Sequence, residues 1–268
     1  MIAVHRVLAI VERDFHVARS YRTAFVLDAV YGMLGLAVYF FISRTFGNVR
    51  PDDLHGAPTY FAFAAVGIAM GVVIEAASAG VARRLRDEQL TGTLEALVAQ
   101  PVTPLQLCLG LIGFPFAFAL VRSVVYLVVV AAWIRLDVSR SNWIGVVTVL
   151  IASGLALAAV GVIAGAVVLV VKRGELLTAS AVYAMAMLSG SVFPISTLPG
   201  WLEPVGRVLP LRFALDGMRS ALFTGEASRW AGDVLVLLGF ALVGIPIAAW
   251  IFARALGSAR RTGSLTQY

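Results

Sequence analysis

The chain has 268 residues, of which 60% are hydrophobic and only 13% charged, with a formal net charge of +6. Soluble domains carry roughly 25% charged residues, so this composition excludes a single-core soluble enzyme, a disordered chain and a nucleic-acid-binding domain. It describes an all-α integral membrane protein whose basic excess reports topology, and the lone Cys108, inside an apolar run, leaves no intrachain disulfide and no cysteine cluster for zinc.

Residues 1–22 carry Arg6, Glu12, Arg13, Asp14, Arg19 and Arg22 and lack the apolar stretch of about 7–15 residues that a cleaved leader requires. Val4, Leu8, Val11 and Phe15 recur at helical spacing with Arg6 and Arg13 on another face, which predicts an N-terminal amphipathic helix lying in the membrane interface. Residues 23–268 then read as one transmembrane domain. A bilayer core about 30 Å thick takes about 20 apolar residues per helix, and about six runs answer to that: 23–42, 60–81, 105–134, 143–171, 176–198 and 231–253.

Three charges fall inside the runs, where an ionisable side chain is a functional candidate by default. Asp28 in the first and Glu75 in the second each lie about 8–9 Å from the same end, within reach of Arg22, Arg83 or Arg84. Arg122, about 25 Å along the third, is too far outward to pair readily with Glu75. The third and fourth runs exceed one span, so tilt or a kink at Pro115 has to absorb the excess. Gly67 with Gly71 and Gly161 with Gly165 form G-x-x-x-G pairs that permit close helix approach. Phe114, Phe116 and Phe118 are expected to face lipid, and Tyr39, Phe40, Phe41, Trp143 and Trp250 to anchor the interface.

Two connections carry more information than the spans. Segment 83–104 predicts a short helix between breakers: Thr91 or Gly92 can cap it, Glu95 falls in its first turn, and Pro101 with Pro104 ends it. Leu94, Leu97 and Val98 give it an apolar stripe too short to cross a membrane, which must dock on lipid, on the chain itself or on a soluble partner; composition favours lipid. Segment 190–224 contains Pro194, Pro199, Pro204, Pro210, Gly200 and Gly206, which forbid a continuous helix, yet Val192, Phe193, Ile195, Leu198, Trp201 and Leu202 are too apolar for a solvated loop. Short broken helices dipping into the outer leaflet fit this pattern, covered by protein or lining a cavity beside a translocation path.

Basic residues set the orientation. Arg6, Arg13, Arg19, Arg22, Arg83, Arg84, Arg86, Lys172, Arg173, Arg254, Arg260 and Arg261 fall on one side, against Arg44, Arg50, Arg135, Arg140 and the four arginines of 199–230, which places both termini in the cytoplasm. A phosphate-binding G-x-x-x-x-G-K-[ST] loop is missing, and the single lysine, Lys172, is followed by Arg173. His5, His16 and His55 show no metal-ligand spacing, so no metal site is expected.

The run Glu88-Gln89-Leu90-Thr91-Gly92-Thr93-Leu94-Glu95-Ala96-Leu97, followed by Gln100-Pro101-Val102, resembles the cytoplasmic coupling segment of ABC transporter type 2 permeases, the membrane subunits of ATP-driven exporters. The run from Ser189 to Leu202, then Pro210-Leu211 and Asp216-Gly217-Met218-Arg219, resembles the end of that family's fifth helix and the outer re-entrant segment after it. Arg212 departs from the pattern, standing where a small polar or aromatic residue is expected. The resemblance implies a coupling helix that inserts into a groove of a separate cytoplasmic ATPase, two copies of which hold the Mg-ATP, with Glu88, Gly92, Thr93, Leu94 and Glu95 at the contact. It implies an outer gate at Phe193, Pro194, Leu198, Pro199, Trp201 and Pro210, and a second permease chain, identical or related. The chain itself would bind no cofactor and catalyse no reaction. Its cargo would be a lipid, a lipid-linked glycan or an amphipathic drug, exported across a bacterial inner membrane. An ion-coupled secondary transporter using Asp28 or Glu75 is the alternative; an intramembrane enzyme would need a buried dyad or metal cluster that the chain does not offer.

Overall fold

The computed structural model describes residues 11–13, 15, 16, 22–46, 54–99, 103–133, 141–171 and 174–262. Apolar runs become helices because backbone in hydrocarbon must satisfy its own hydrogen bonds, and among the described residues the fold is all-α. In chain order the helices are α1 (Arg22–Phe46), α2 (Tyr60–Ala77), α3 (Ala79–Leu90), α4 (Thr93–Ala99), α5 (Pro104–Trp133), α6 (Trp143–Val170), α7 (Gly174–Leu188), α8 (Glu203–Val208), α9 (Pro210–Arg219) and α10 (Ala227–Thr262). Among the described residues four stretches are long and apolar enough to cross a membrane, Tyr60–Leu90, Gly113–Ala132, Trp143–Val170 and Ala227–Ala259; Val30–Thr45 and Gly174–Leu188 are shorter.

α6 and α10 share the most extensive packing and form the spine; α2 lies against α5, and α1 touches the rest chiefly through α2. The main core gathers Met70, Val73, Val149, Leu157, Leu215 and Leu237 from α2, α6, α9 and α10. Outside this core α1 exposes Tyr31, Leu34 and Phe41, and α7 exposes Leu176, Leu177 and Tyr183, large apolar faces of the kind that lipid or another chain covers.

Three boundaries differ from the sequence expectation. The second run is interrupted at Ser78, whose Oγ donates back to the Ile74 carbonyl while Gly80 leaves room for the displaced Glu75 carbonyl, so α2 and α3 meet at a joint. The fifth helix was expected to reach residue 198 but stops at Leu188, where Gly190 turns the chain with φ +80°. The last helix runs past the expected 231–253 at both ends and keeps Pro246 inside it.

The two G-x-x-x-G pairs divide their labour. A Cβ on Gly161 would collide with the Ala77 carbonyl, so this glycine sets the crossing of α6 over the α2–α3 joint, whereas a Cβ on Gly165 would meet only side chains, Phe252 tightly at 3.3 Å and Leu85 and Val81 at an ordinary 3.6 Å. A Cβ on Gly67 would collide with the Ser191 carbonyl, so the approach there is by a loop rather than a helix, and Gly71 faces open space. Phe116 also departs from expectation: its ring fills the notch at Gly154 and packs on the core instead of facing lipid.

Candidate functional site

At one end of the bundle α3, α4 and the start of α5 form a compact hairpin. The short helix predicted within 83–104, capped at Thr91 or Gly92, is α4; residues 83–90 ahead of it continue α3, Thr91 closes that helix and Gly92, at φ +73°, reverses the chain into α4. Leu94 is 1% exposed and packs with Leu85, Leu107, Leu111 and Phe252, with Leu97 against the same cluster. Leu94 and Leu97 of the apolar stripe therefore dock on the protein itself and not on lipid, which corrects the compositional expectation; the Val98 side chain lies outside the described residues.

The opposite face of the hairpin is polar. Thr93 Oγ1 donates to the Glu88 carboxylate, the Thr91 and Thr93 hydroxyls lie 2.8 Å apart, and Arg13 donates to Glu88 Oε1 at 2.7 Å. Val11 approaches Gly113 and Phe15 meets Phe114 edge-on at 6.0 Å, so the described N-terminal residues lie along α5 and reach the hairpin through Arg13. Residues 1–10, Pro101 and the side chain of Glu95 lie outside the described residues, and so do Val4, Arg6 and Leu8, half of the positions on which the predicted N-terminal helix rests.

The other end is built from the turn 189–194, a 3-10 turn at Ile195–Thr197, α8, α9 and a π-turn at Ser220–Thr224. α9 buries Leu211, Ala214, Leu215 and Met218 against α6 and α10, and the 220–224 turn accepts hydrogen bonds from Asn142 N (to Ala221 O, 2.8 Å) and Ser141 Oγ (to Leu222 O, 2.6 Å). Of the candidate gate residues, Pro194 is buried, Phe193, Leu198 and Pro210 are half-buried, and Pro199 and Trp201 project outward, Trp201 with 75% of its surface exposed. Arg212, the departure from the family pattern, donates to Asp216 Oδ2 at 3.2 Å and to the Arg207 carbonyl at 3.1 Å, bracing α9 against the end of α8.

Arg219 is the residue that sequence reasoning left out of the site. It is 1% exposed and donates from Nη2 to the carbonyls of Gly190 (2.8 Å), Ser191 (3.3 Å) and Phe63 (3.4 Å). Its guanidinium carbon stands 3.5 Å above the Phe63 ring, and Asp216 Oδ1 is 3.8 Å from Nη1. Burial pushes its pKa down to about 9, with Asp216 acting in the opposite direction, so it remains a cation at neutral pH. The signal in the sequence was its register: position 219 continues the i, i+4 row of Leu211 and Leu215, an arginine on an apolar stripe.

Among the described side chains, the intramembrane charges Glu75 and Arg122 have separate partners. The side chain of Asp28 lies outside the described residues. Glu75 pairs with Arg83 at 2.9 Å across the Ser78 joint, both side chains being about half exposed, and Arg122 lies over the Tyr126 ring at 5.9 Å. Exposed ion pairs contribute about 0–1 kcal/mol, so Glu75→Gln is expected to change stability by less than about 1 kcal/mol. The same variant should leave transport in vesicles intact, whereas a gradient-driven carrier working through Glu75 would lose it; vesicle uptake with and without an imposed proton gradient checks this.

A protein-family model described as ABC-2 type transporter matches residues 5–223, most of the chain. No curated protein matches the chain.

Proposed function

The chain belongs to the ABC-2 type transporter family, and we propose that it is the permease of an exporter in which a separate cytoplasmic ATPase, present in two copies, binds Mg-ATP and drives outward movement of a lipid, a lipid-linked glycan or an amphipathic drug. In this reading both termini and the α3–α4 hairpin are cytoplasmic, the segment from 189 to 224 is extracytoplasmic, and the membrane is a bacterial inner membrane. Charge distribution supports that orientation, because Arg83, Arg84 and Arg86 cluster beside the hairpin.

The observation that carries the coupling role is the two-faced construction of the hairpin. Leu94 fixes it to α5 and α10, while Thr91, Gly92 and Thr93 are exposed on its polar side, with the Glu88 carboxylate held beside them by Thr93 and Arg13. A segment anchored on one face and polar on the other can receive a push and pass it into the helices as a rigid-body shift. Leu94 then acts by positioning the hairpin, and Glu88 and Thr93 supply the polar contact. A second permease chain, identical or related, would cover the apolar faces of α1 and α7 and complete the path.

The test is purification of the tagged protein in mild detergent, identification of co-purifying chains by mass spectrometry, and a vanadate-sensitive ATPase assay. A stoichiometric ATPase bearing a phosphate loop is expected with the unmodified protein, and its retention should fall at least tenfold with Glu88→Ala, the loss of about 1.4 kcal/mol or more that a charge-assisted contact supplies. Absence of any ATPase from the native complex, with none stimulating transport when added back, would sink the reading.

A further inference from the structure

Resting on the coupling role proposed above, the geometry points to Arg219 as the positioning residue of the outer gate: it joins the turn 189–194 to the start of α2 so that the two move as one body. Two independent contacts meet at this joint. Arg219 spans from α9 to the carbonyls of Gly190 and Ser191 on one side and to the carbonyl and ring face of Phe63 on the other. The Ser191 carbonyl is also seated in the space that a Cβ on Gly67 would occupy, one helical turn along α2 from Phe63. Backbone is thus pressed against backbone and locked by a buried cation.

A buried guanidinium is costly unless its protons are accepted, and here Nε has no acceptor among the described residues. Apolar packing of the same volume would serve stability at least as well, so the arginine is better explained by the arrangement that it specifies. That arrangement has a direction. α2 continues through the Ser78 joint into α3 and the hairpin that would meet the ATPase, so a tilt imposed there arrives at Phe63 and Gly67. With Arg219 in place the tilt is delivered to Phe193 and Pro194. Without it, α2 moves and the turn stays behind with α6 and α10.

The experiment uses the complex with its co-purifying ATPase in lipid nanodiscs, Cys108 replaced by alanine, and spin labels in pairs at Pro58 before α2, Ser196 in the outer segment and Ser228 at the start of α10, all exposed. Pulsed electron-spin distances are recorded with and without Mg-ATP and vanadate. In the native chain the 58–228 and 196–228 distances are expected to change together while 58–196 stays fixed. In Arg219→Met the 58–228 change should persist and the 196–228 change be lost; Arg219→Lys, which keeps a donor for the carbonyls, should restore part of it. Gly67→Ala is a second route, since its methyl wedges the turn away with Arg219 intact, and it should give the same loss if Arg219→Met does not fold. A native complex in which 58–228 changes but 58–196 changes with it overturns the positioning role and leaves the coupling role standing, as does a native-like response in folded Arg219→Met or, where that variant does not fold, in Gly67→Ala. A native complex in which 58–228 does not respond at all overturns the coupling role itself.

Discussion

Leu94→Asp is expected to abolish ATPase retention while leaving the membrane-spanning helices folded. Leu94 is buried among Leu85, Leu107, Leu111 and Phe252. Removing a buried leucine side chain alone costs about 2–5 kcal/mol, and a carboxylate in that pocket adds the penalty of an unpaired charge. α4 has only seven residues and is held to the core by Leu94 and Leu97 in this cluster, so the least costly response is for the hairpin to leave the pocket and expose residues 91–103. Limited proteolysis of the purified protein should show new cleavage in that interval, and the co-purifying ATPase should disappear. Leu94→Met, which nearly conserves volume, should keep both within about 1.5 kcal/mol of the native state. Native-like retention by the aspartate variant would mean that the hairpin does not depend on its apolar anchor.

The second large effect belongs to the crossing of α6 over the α2–α3 joint. Gly161→Ala forces a methyl into the Ala77 carbonyl, a backbone atom that cannot rotate aside, and should destabilise the protein by about 1–3 kcal/mol, the range for overpacking. Gly165→Ala places its methyl 3.3 Å from Phe252, whose ring must give by a few tenths of an ångström, and 3.6 Å from Leu85 and Val81, all side-chain rather than backbone atoms, and its cost should stay below about 1 kcal/mol. Thermal midpoints of the two variants in one detergent decide the matter: an equal shift for both would place the tight contact elsewhere.

Most of the fold was legible because hydrocarbon imposes one solution on an apolar run, and the starts of α1, α2, α5 and α6 fall within a few residues of the expected positions. The end of α7 was not legible. Val192, Phe193 and Ile195 prolong the hydropathy of the run, while the turn is made by Gly190 and held by Arg219 from 29 residues further on. Hydropathy also passed over Ser78, since a serine flanked by alanine and glycine hardly interrupts an apolar window. The hairpin shows the converse case: its apolar stripe was legible from the residues, but what covers it depended on Leu107 and Phe252, which lie in other helices. Composition could not choose between lipid and protein for a stripe of three apolar residues, because both environments are apolar.

The Ser78 interruption has a mechanical consequence. α2 and α3 behave as two stiff rods meeting at a joint whose resting angle is shared between the serine's bond to Ile74 and the Glu75–Arg83 pair that bridges it. One of these contributions is an exposed ion pair, which dissolved ions and anionic lipid headgroups weaken. The stiffness of this joint is therefore a property of the protein together with the medium around it: the serine's bond is unaffected, while the small share of the ion pair fades as ionic strength or the charge of the surrounding lipid rises.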